Sequence, residues 1–363
     1  MRIVRYYTMK LFLNRSNRTI ALLVLTNLVY LAFHVQHDIR FIMRKRDQDA
    51  NTSLPVLTTT EIPFVDNSTE EAIVIPDIHF PMDIDLEKAV REKLDSGKSI
   101  PHRPINSVNY RYLYRPHVCV FNSTEPFNLL ILVKSSIRNV FLRNTIRDTW
   151  ASDLGDNVKI AFMLGYSPLF KDMVAMEAKA YNDIIMQNFI DAYSNNTLKS
   201  IMGFYWAVND CPTAHAILFI DDDHLPHMRN IMSYLHSLSP NQLDDVYSGY
   251  RINKGVVCRG RDKWAIPRKV YPHKYWPPYL RGGAYLISNK NALKFSVAFP
   301  YVRLLHVDDS YLGLVSLKLH ILPQHDVRFM MDRSQIATQK HYFAFFDYKM
   351  PRDLRAGWKT ITS

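Results

Sequence analysis

Three consecutive aspartates, Asp221, Asp222 and Asp223, follow directly on the apolar run AILFI. Adjacent carboxylates repel one another and are costly without a cation nearby. Alternate residues of an extended chain point the same way, so Asp221 and Asp223 can face one site while Asp222 faces elsewhere. Oxygen ligands suit a hard divalent ion, Mg²⁺ or Mn²⁺, which usually keeps part of its shell for substrate phosphates. An acidic surface turn is the competing reading; position at a strand end is what favours a site. A second pair, Asp308–Asp309, precedes a Tyr–Leu–Gly segment where a helix is expected to start. There the helix N-terminus stabilises a carboxylate, and an N-cap is the structural alternative. Arg143 and Arg147 fall one turn apart on one face of an expected helix. Tyr279, Gly282 and Gly283 form a segment where the backbone can approach a ligand closely. Trp264, beside Lys263, is either a stacking platform or a core residue.

These residues must be held by regular elements. FNLLILVKSS (Phe127–Ser136), VKIAFMLG (Val158–Gly165) and AILFIDDD (Ala216–Asp223) are continuous apolar runs of the kind a buried parallel strand requires. Helical patterns lie between them at Val140–Trp150, Leu169–Gln187 and Leu198–Asn209. Strands alternating with helices predict an α/β fold: a Rossmann-like, mostly parallel sheet with helices on both faces and ligands beyond the carboxyl ends of the strands. No G-x-G-x-x-G follows a strand, which disfavours a dinucleotide cofactor.

The N-terminal third has a different texture. Thr19–Val35 holds 17 residues without a formal charge, about the minimum for a membrane span. Arg2, Arg5, Lys10, Arg15 and Arg18 precede it with no acid, and no small-residue cleavage site follows. This predicts an uncleaved signal anchor with residues 1–18 cytosolic and the rest luminal. A span this short suits the thinner membranes of the early secretory pathway. Acceptor sequons at Asn51, Asn67, Asn122 and Asn195 all lie on the expected luminal side. Residues 36–115 carry scattered prolines and few apolar periods, predicting a stem with one short helix at Leu86–Leu94; a globular domain is expected over 116–363. The net charge of +11 is concentrated before the span and otherwise spread thinly, without basic–aromatic alternation, which excludes a nucleic-acid partner. Three cysteines without a CxxC pair exclude a disulfide scaffold and a Cys-based zinc site.

WAVNDCPTAHAILFIDDD (Trp206–Asp223) resembles the W-x4-C-P-x-A-x7-D-D-D block of the β1,3-glycosyltransferases, the β1,3-galactosyl- and β1,3-N-acetylglucosaminyltransferases with the fringe proteins more distant. Further blocks follow in family order: RNTIRDTW (Arg143–Trp150), FMLG (Phe162–Gly165), Glu177–Ser200, KWAIP (Lys263–Pro267), YWPPYLRGGAYLIS (Tyr275–Ser288) and HVDDSYLG (His306–Gly313). Departures are Phe219 where the family commonly has Lys, and Leu280 and Ala284 in place of a Cys and a Gly. With Leu280 unable to pair, Cys211 is left with Cys119 or Cys258.

The resemblance implies a GT-A fold and a Golgi type II, single-pass membrane enzyme with its catalytic domain in the lumen. It implies an inverting β1,3-hexosyltransferase that moves a sugar, galactose first, from a UDP-sugar to a glycan acceptor on glycoprotein or glycolipid. N-acetylglucosamine and N-acetylgalactosamine are the alternatives. It implies Mn²⁺ or another divalent cation held by Asp221, Asp223 and a late histidine, His341. The donor site falls to Arg143, Arg147, Asp221, Asp222, Lys263, Trp264, Gly282 and Gly283. Asp309 becomes the general base with Asp308 beside it, since a single displacement needs one base and no protein nucleophile. Two readings from other classes are weaker. A metal-dependent phosphohydrolase needs a second full carboxylate set for a two-metal site, which the sequence lacks. A non-catalytic luminal carbohydrate-binding protein would be favoured by loss of the acids, which are all present.

Overall fold

A computed structural model describes residues 84–121, 125–338 and 341–362. All of them belong to one compact unit, Ser68–Ser363. The expected membrane segment at residues 19–35 lies outside the described residues, among which no helix is long and apolar enough to cross a membrane.

The central strand β2 (Leu129–Lys134) is buried along its whole length. Its odd and even residues feed two different cores. Leu130 and Leu132 join one apolar cluster; Leu129, Ile131 and Val133 join the other. That period of two is what a sheet covered on both faces requires. Parallel neighbours flank β2: β3 (Val158–Tyr166) on one side and β5 (Ala216–Asp221) on the other. Helix α2 (Val140–Asp148) contributes Ile146 to one face, and α4 (Asn196–Asp210) contributes Met202 and Phe204 to the other.

The eight-stranded sheet runs β1-β4-β3-β2-β5-β8-β7-β9, with β1 at Tyr112–Tyr114, β4 at Ile184–Ile190, β7 at Tyr247–Ile252, β8 at Tyr279–Ser288 and β9 at Gln324–His325. Chain connections leave β2 toward β3 and reach β5 on its other side. A crevice therefore opens between the carboxyl ends of β2 and β5, where such sheets bind ligands. The register there sets Lys134 opposite Asp221. Strand β8 is antiparallel to β5 with Ile220 opposite Ala284, so Gly282 and Gly283 flank the end of β5. Helix α8 (Asp308–Lys318) packs along β8 at close range: a side chain at Gly313 would overlap Tyr279. A small second sheet joins β6 (Leu225–Pro226), β10 (Met331–Asp332) and β11 (Ala344–Phe346). It folds the C-terminal segment over the acidic turn, where the Tyr348 N–H donates to the Asp223 carbonyl at 2.8 Å.

Two sequence expectations need correction. The expected helix Leu169–Gln187 ends early: α3 covers Lys171–Tyr181, Asn182 turns left-handed at φ 51°, and the β-branched Ile184–Ile185 open β4. The expected stem 36–115 overlaps the globular fold. Helix α1 (Leu86–Ser96) buries Leu86 and Val90, the segment after it buries Ile100 and Val108, and β1 pairs with β4. These anchors are sparse in a polar stretch, so no periodicity announces them. Of the two partners left open for Cys211, the structure pairs it with Cys119, their Cα atoms 5.2 Å apart, and Cys258 is a free thiol donating to Asp262 Oδ2 at 2.6 Å.

Candidate active site

The turn after β5 brings three ligand atoms together. Asp221, Asp223 and His224 each offer one, and all lie within 4.8 Å of one another. His224 Nδ1 contacts Asp223 Oδ1 at 2.7 Å. The imidazole lies against β8, where a Cβ on Gly283 would overlap its ring. Two carboxylates and an imidazole are a donor set that Mn²⁺ accepts. Burial pushes the Asp221 carboxyl up to about 6 despite the Lys134 ammonium beside it. Burial also acts on Asp223, but contact with His224 outweighs it and leaves that carboxyl below its usual range. His341, expected as the nitrogen ligand, is exposed before β11 and does not line the cavity. The imidazole within reach of both acids is the residue directly after the aspartate trio.

Lys134 organises the opposite wall, and the sequence reading passed over it. Its ammonium donates to the Gly282 carbonyl at 2.8 Å and pairs with Asp308 Oδ2 at 3.0 Å and Asp221 Oδ1 at 3.1 Å. Those three contacts use all three of its donors. The signal was present: a lysine ending an otherwise apolar buried strand needs acidic partners.

The two late aspartates differ in what surrounds them. Asp308 is buried, yet Lys134 and the Ser200 hydroxyl at 3.2 Å hold its carboxyl below the ordinary range. Asp309 Oδ1 accepts from the Ser310 N–H at 2.6 Å and has no cationic side chain within 4.0 Å among the described residues. Burial, reinforced by the Asp308 charge, pushes the Asp309 carboxyl up to about 6. Both begin α8, whose N-cap is Val307, so neither is the cap itself.

Asp221, Asp223, Lys263, Trp264, Gly282, Gly283, Asp308 and Asp309 line one cavity of about 480 Å³. Lys263 Nζ stands 4.3 Å above the Tyr193 ring and 4.8 Å from the Trp264 ring. Tyr193 was not singled out from sequence; it also lines an adjoining cavity, again about 480 Å³, with Ser135, Arg138 and Asp222. Asp222 faces that side, accepting from Ser135 Oγ at 2.6 Å and Asn139 Nδ2 at 2.9 Å.

The arginines are elsewhere. Arg143 is fully buried and forks onto Glu177 of α3 at 2.7 and 2.8 Å, with a further bond to the Ser136 carbonyl at 2.8 Å. Arg147 pairs with Glu177 and Asp183, each at 2.8 Å, beneath the Tyr181 ring. Neither lines the cavity, because the acids that close α3 and precede β4 saturate both guanidiniums. They pin α2 to α3 and correct the expectation of donor contact. Of the sequon asparagines, Asn51, Asn67 and Asn122 lie outside the described residues. Asn195 donates to the Ile190 carbonyl at 2.8 Å, and its sequon partner Thr197 is buried.

The Galactosyltransferase family model matches residues 142–327, just over half of the chain, from within α2 to past α8. The chain belongs to the galactosyltransferase family. Mouse "Beta-1,3-galactosyltransferase 1" is 35% identical over 231 residues, 62% of this chain and 70% of that protein. The Xenopus tropicalis "Lactosylceramide 1,3-N-acetyl-beta-D-glucosaminyltransferase" is 35% identical over 253 residues, 65% of this chain and 66% of that one. The Drosophila melanogaster "Beta-1,3-galactosyltransferase brn" is 30% identical over 248 residues, 66% of this chain and 76% of that one. Likeness to solved structures is remote: the galactosyltransferase LgtC covers 65% of this chain and 96% of that one with a TM-score of 0.34 at 10% identity. This member of the family is therefore an enzyme, a β1,3-glycosyltransferase.

Proposed function

We propose that this glycosyltransferase moves galactose from UDP-galactose to a hydroxyl of a glycan on glycoprotein or glycolipid, inverting the anomeric centre to make a β1,3 bond. One observation carries the reading. A cluster of two carboxylates and an imidazole shares a cavity with Asp309, a buried carboxylate that makes no ion pair among the described residues. A divalent cation held by Asp221, Asp223 and His224, with Mn²⁺ the best match, would supply Lewis-acid charge to the leaving diphosphate.

The remaining work falls to the chain's own side chains. The nucleotide occupies the branch of the cleft lined by Ser135, Arg138, Asp222 and Tyr193. Lys263, Trp264 and the open backbone at Gly282–Gly283 bound the sugar. Asp309 takes the proton of the acceptor hydroxyl as that oxygen bonds to the anomeric carbon. The bond from that carbon to the phosphate oxygen breaks, and UDP departs with the electron pair. A single in-line displacement of this kind inverts the centre. Lys134 neutralises Asp308 and so leaves one free base beside the acceptor. The setting we propose is a type II, single-pass Golgi protein with residues 19–35 as its anchor and the enzyme in the lumen. The Cys119–Cys211 bridge suits an oxidising compartment. A screen of UDP-sugars against a glycan array, with Mn²⁺ or with chelator, tests the reading. Turnover of UDP-galactose that chelator stops supports it; full activity in metal-free protein contradicts it.

A further inference from the structure

We propose that a cavity apart from the cleft binds a fatty acid, with the aliphatic chain against two tryptophans and the carboxylate at a helix N-terminus. The cavity lies between the segment that follows α2, the start of α5 (Met228–Ser237) and the end of α9 (Pro351–Thr362). It measures about 580 Å³, within the range of small-molecule sites. It shares no lining residue with the active-site cavities, so the proposal stands whatever sugar the enzyme transfers.

Two features of the wall ask for a ligand. One is apolar surface that the fold leaves half covered. Leu154, Met228, Met232, Trp358 and Ile361 are only partly buried against the core, and all of them line the cavity. The unbranched methionines adapt to a flexible chain. The other is an unpaired donor. Trp150 is 1% exposed and lines the same cavity, yet its indole N–H has no acceptor among the described residues. A buried donor in that state is costly, and a purely apolar molecule leaves it so. The occupant therefore carries an acceptor as well as an apolar body.

The charge at one end sets the sign of that acceptor. Helix α5 opens at His227 with no side-chain cap and no acid in its first turn. Its leading N–H groups and the positive end of its dipole favour an anion. Met228 and Arg229 of that turn line the cavity, and Arg229 makes no ion pair among the described residues. Asp153, the one acid in the lining, is exposed in the loop before β3. A carboxylate brings two acceptor oxygens to these donors. A nucleotide or a sugar would leave most of its polar groups against apolar walls.

Photolabelling of the full-length chain in its membranes tests this. A diazirine analogue of myristic acid should label the peptides that carry Trp150, Met232 and Ile361. Free myristate should compete for that label at least tenfold better than myristyl alcohol, which keeps the chain and loses the charge. Arg229→Glu, at an exposed position, should raise the myristate concentration that halves labelling at least fivefold. Ile361→Glu sets a charge on the half-buried last turn of α9 and should cut labelling at least tenfold. Both variants should keep wild-type transfer activity, which reports that they fold. If Ile361→Glu loses activity as well, the ratio of myristate to alcohol in the wild type still decides. Absence of label from these peptides, label that myristate does not displace, or equal competition by the alcohol overturns the proposal. So does unchanged labelling in either folded variant.

Discussion

At the residue scale the site is a contrast between two adjacent carboxyls. Lys134 and Ser200 keep Asp308 ionised, whereas burial and the neighbouring charge raise Asp309 to about 6. A raised carboxyl is protonated as pH falls through its pKa, and a protonated Asp309 is no base. With Mn²⁺ saturating, kcat should therefore hold above pH 7 and fall through a limb near pH 6; a flat profile down to pH 5 would remove Asp309 from the role. Asp221 is also raised, to about 6, so metal affinity should weaken over the same window, which is why saturating Mn²⁺ separates the two effects. Arg143 behaves differently. Removing it takes one of two cations from Glu177, which keeps its pair with Arg147, so the cost should fall below the roughly 3–5 kcal/mol of a fully broken buried pair. Arg143→Met should lower the denaturation midpoint yet leave the donor KM of whatever folds unchanged; a raised donor KM at normal stability would restore the arginine to the site. The acids were legible because strand-end carboxylates have few structural reasons to cluster. Lys134 was harder to read, since its partners Asp221 and Asp308 lie far away in sequence, and His224, directly after the trio, gives no sign in sequence that its ring turns back onto the acids.

At the element scale, tight backbone contacts decide where the side chains point. β8 passes so near the acidic turn that only glycine at position 283 leaves room for the His224 ring. Gly283→Ala should displace the imidazole and weaken Mn²⁺ binding by about tenfold or more, as losses of supporting contacts around metal sites do. Equal Mn²⁺ affinity by titration would show that His224 is no ligand. The Cys119–Cys211 bridge closes a 92-residue separation and ties the N-terminal arm to the end of α4. A bridge of this kind contributes about 2–4 kcal/mol. Cys119→Ser should lower Tm by roughly 5–10 °C at unchanged KM; an unchanged Tm would argue against the bridge. The three apolar strands were legible because burial on both faces leaves an unbroken apolar run. β4 was not. IIMQNFI carries the polar pair Gln187–Asn188 and follows its helix after a short turn, so one long helical pattern covers both.

At the scale of the molecule, the fold reaches back beyond residue 116. Leu86, Val90, Ile100 and Val108 are buried in its core, each worth roughly 1.5–3 kcal/mol when fully buried. Their sum rivals the whole stability of a typical domain, about 5–15 kcal/mol. A fragment over residues 116–363 should not fold, whereas one that begins before Leu86 should; a cooperative unfolding transition from the shorter fragment would contradict this. The α/β class and a site beyond the carboxyl ends of the strands were readable from the alternation of strands and helices, but the division of labour across the crevice was not, because Lys134, Asp221, Asp308 and Asp309 meet only once β2, β5, β8 and α8 converge. That division is the centre of the proposal: the acids at the end of β5 would hold the donor through a cation, and Asp309 would hold none of it. Calorimetric titration with UDP-galactose and Mn²⁺ tests it most directly on two variants that a transfer assay makes look alike. Asp309→Asn should bind the donor as wild type does while losing about 10²–10⁴-fold in rate, and Asp223→Ala should lose donor binding itself. Loss of donor affinity in Asp309→Asn, or full donor affinity in Asp223→Ala, would contradict the account.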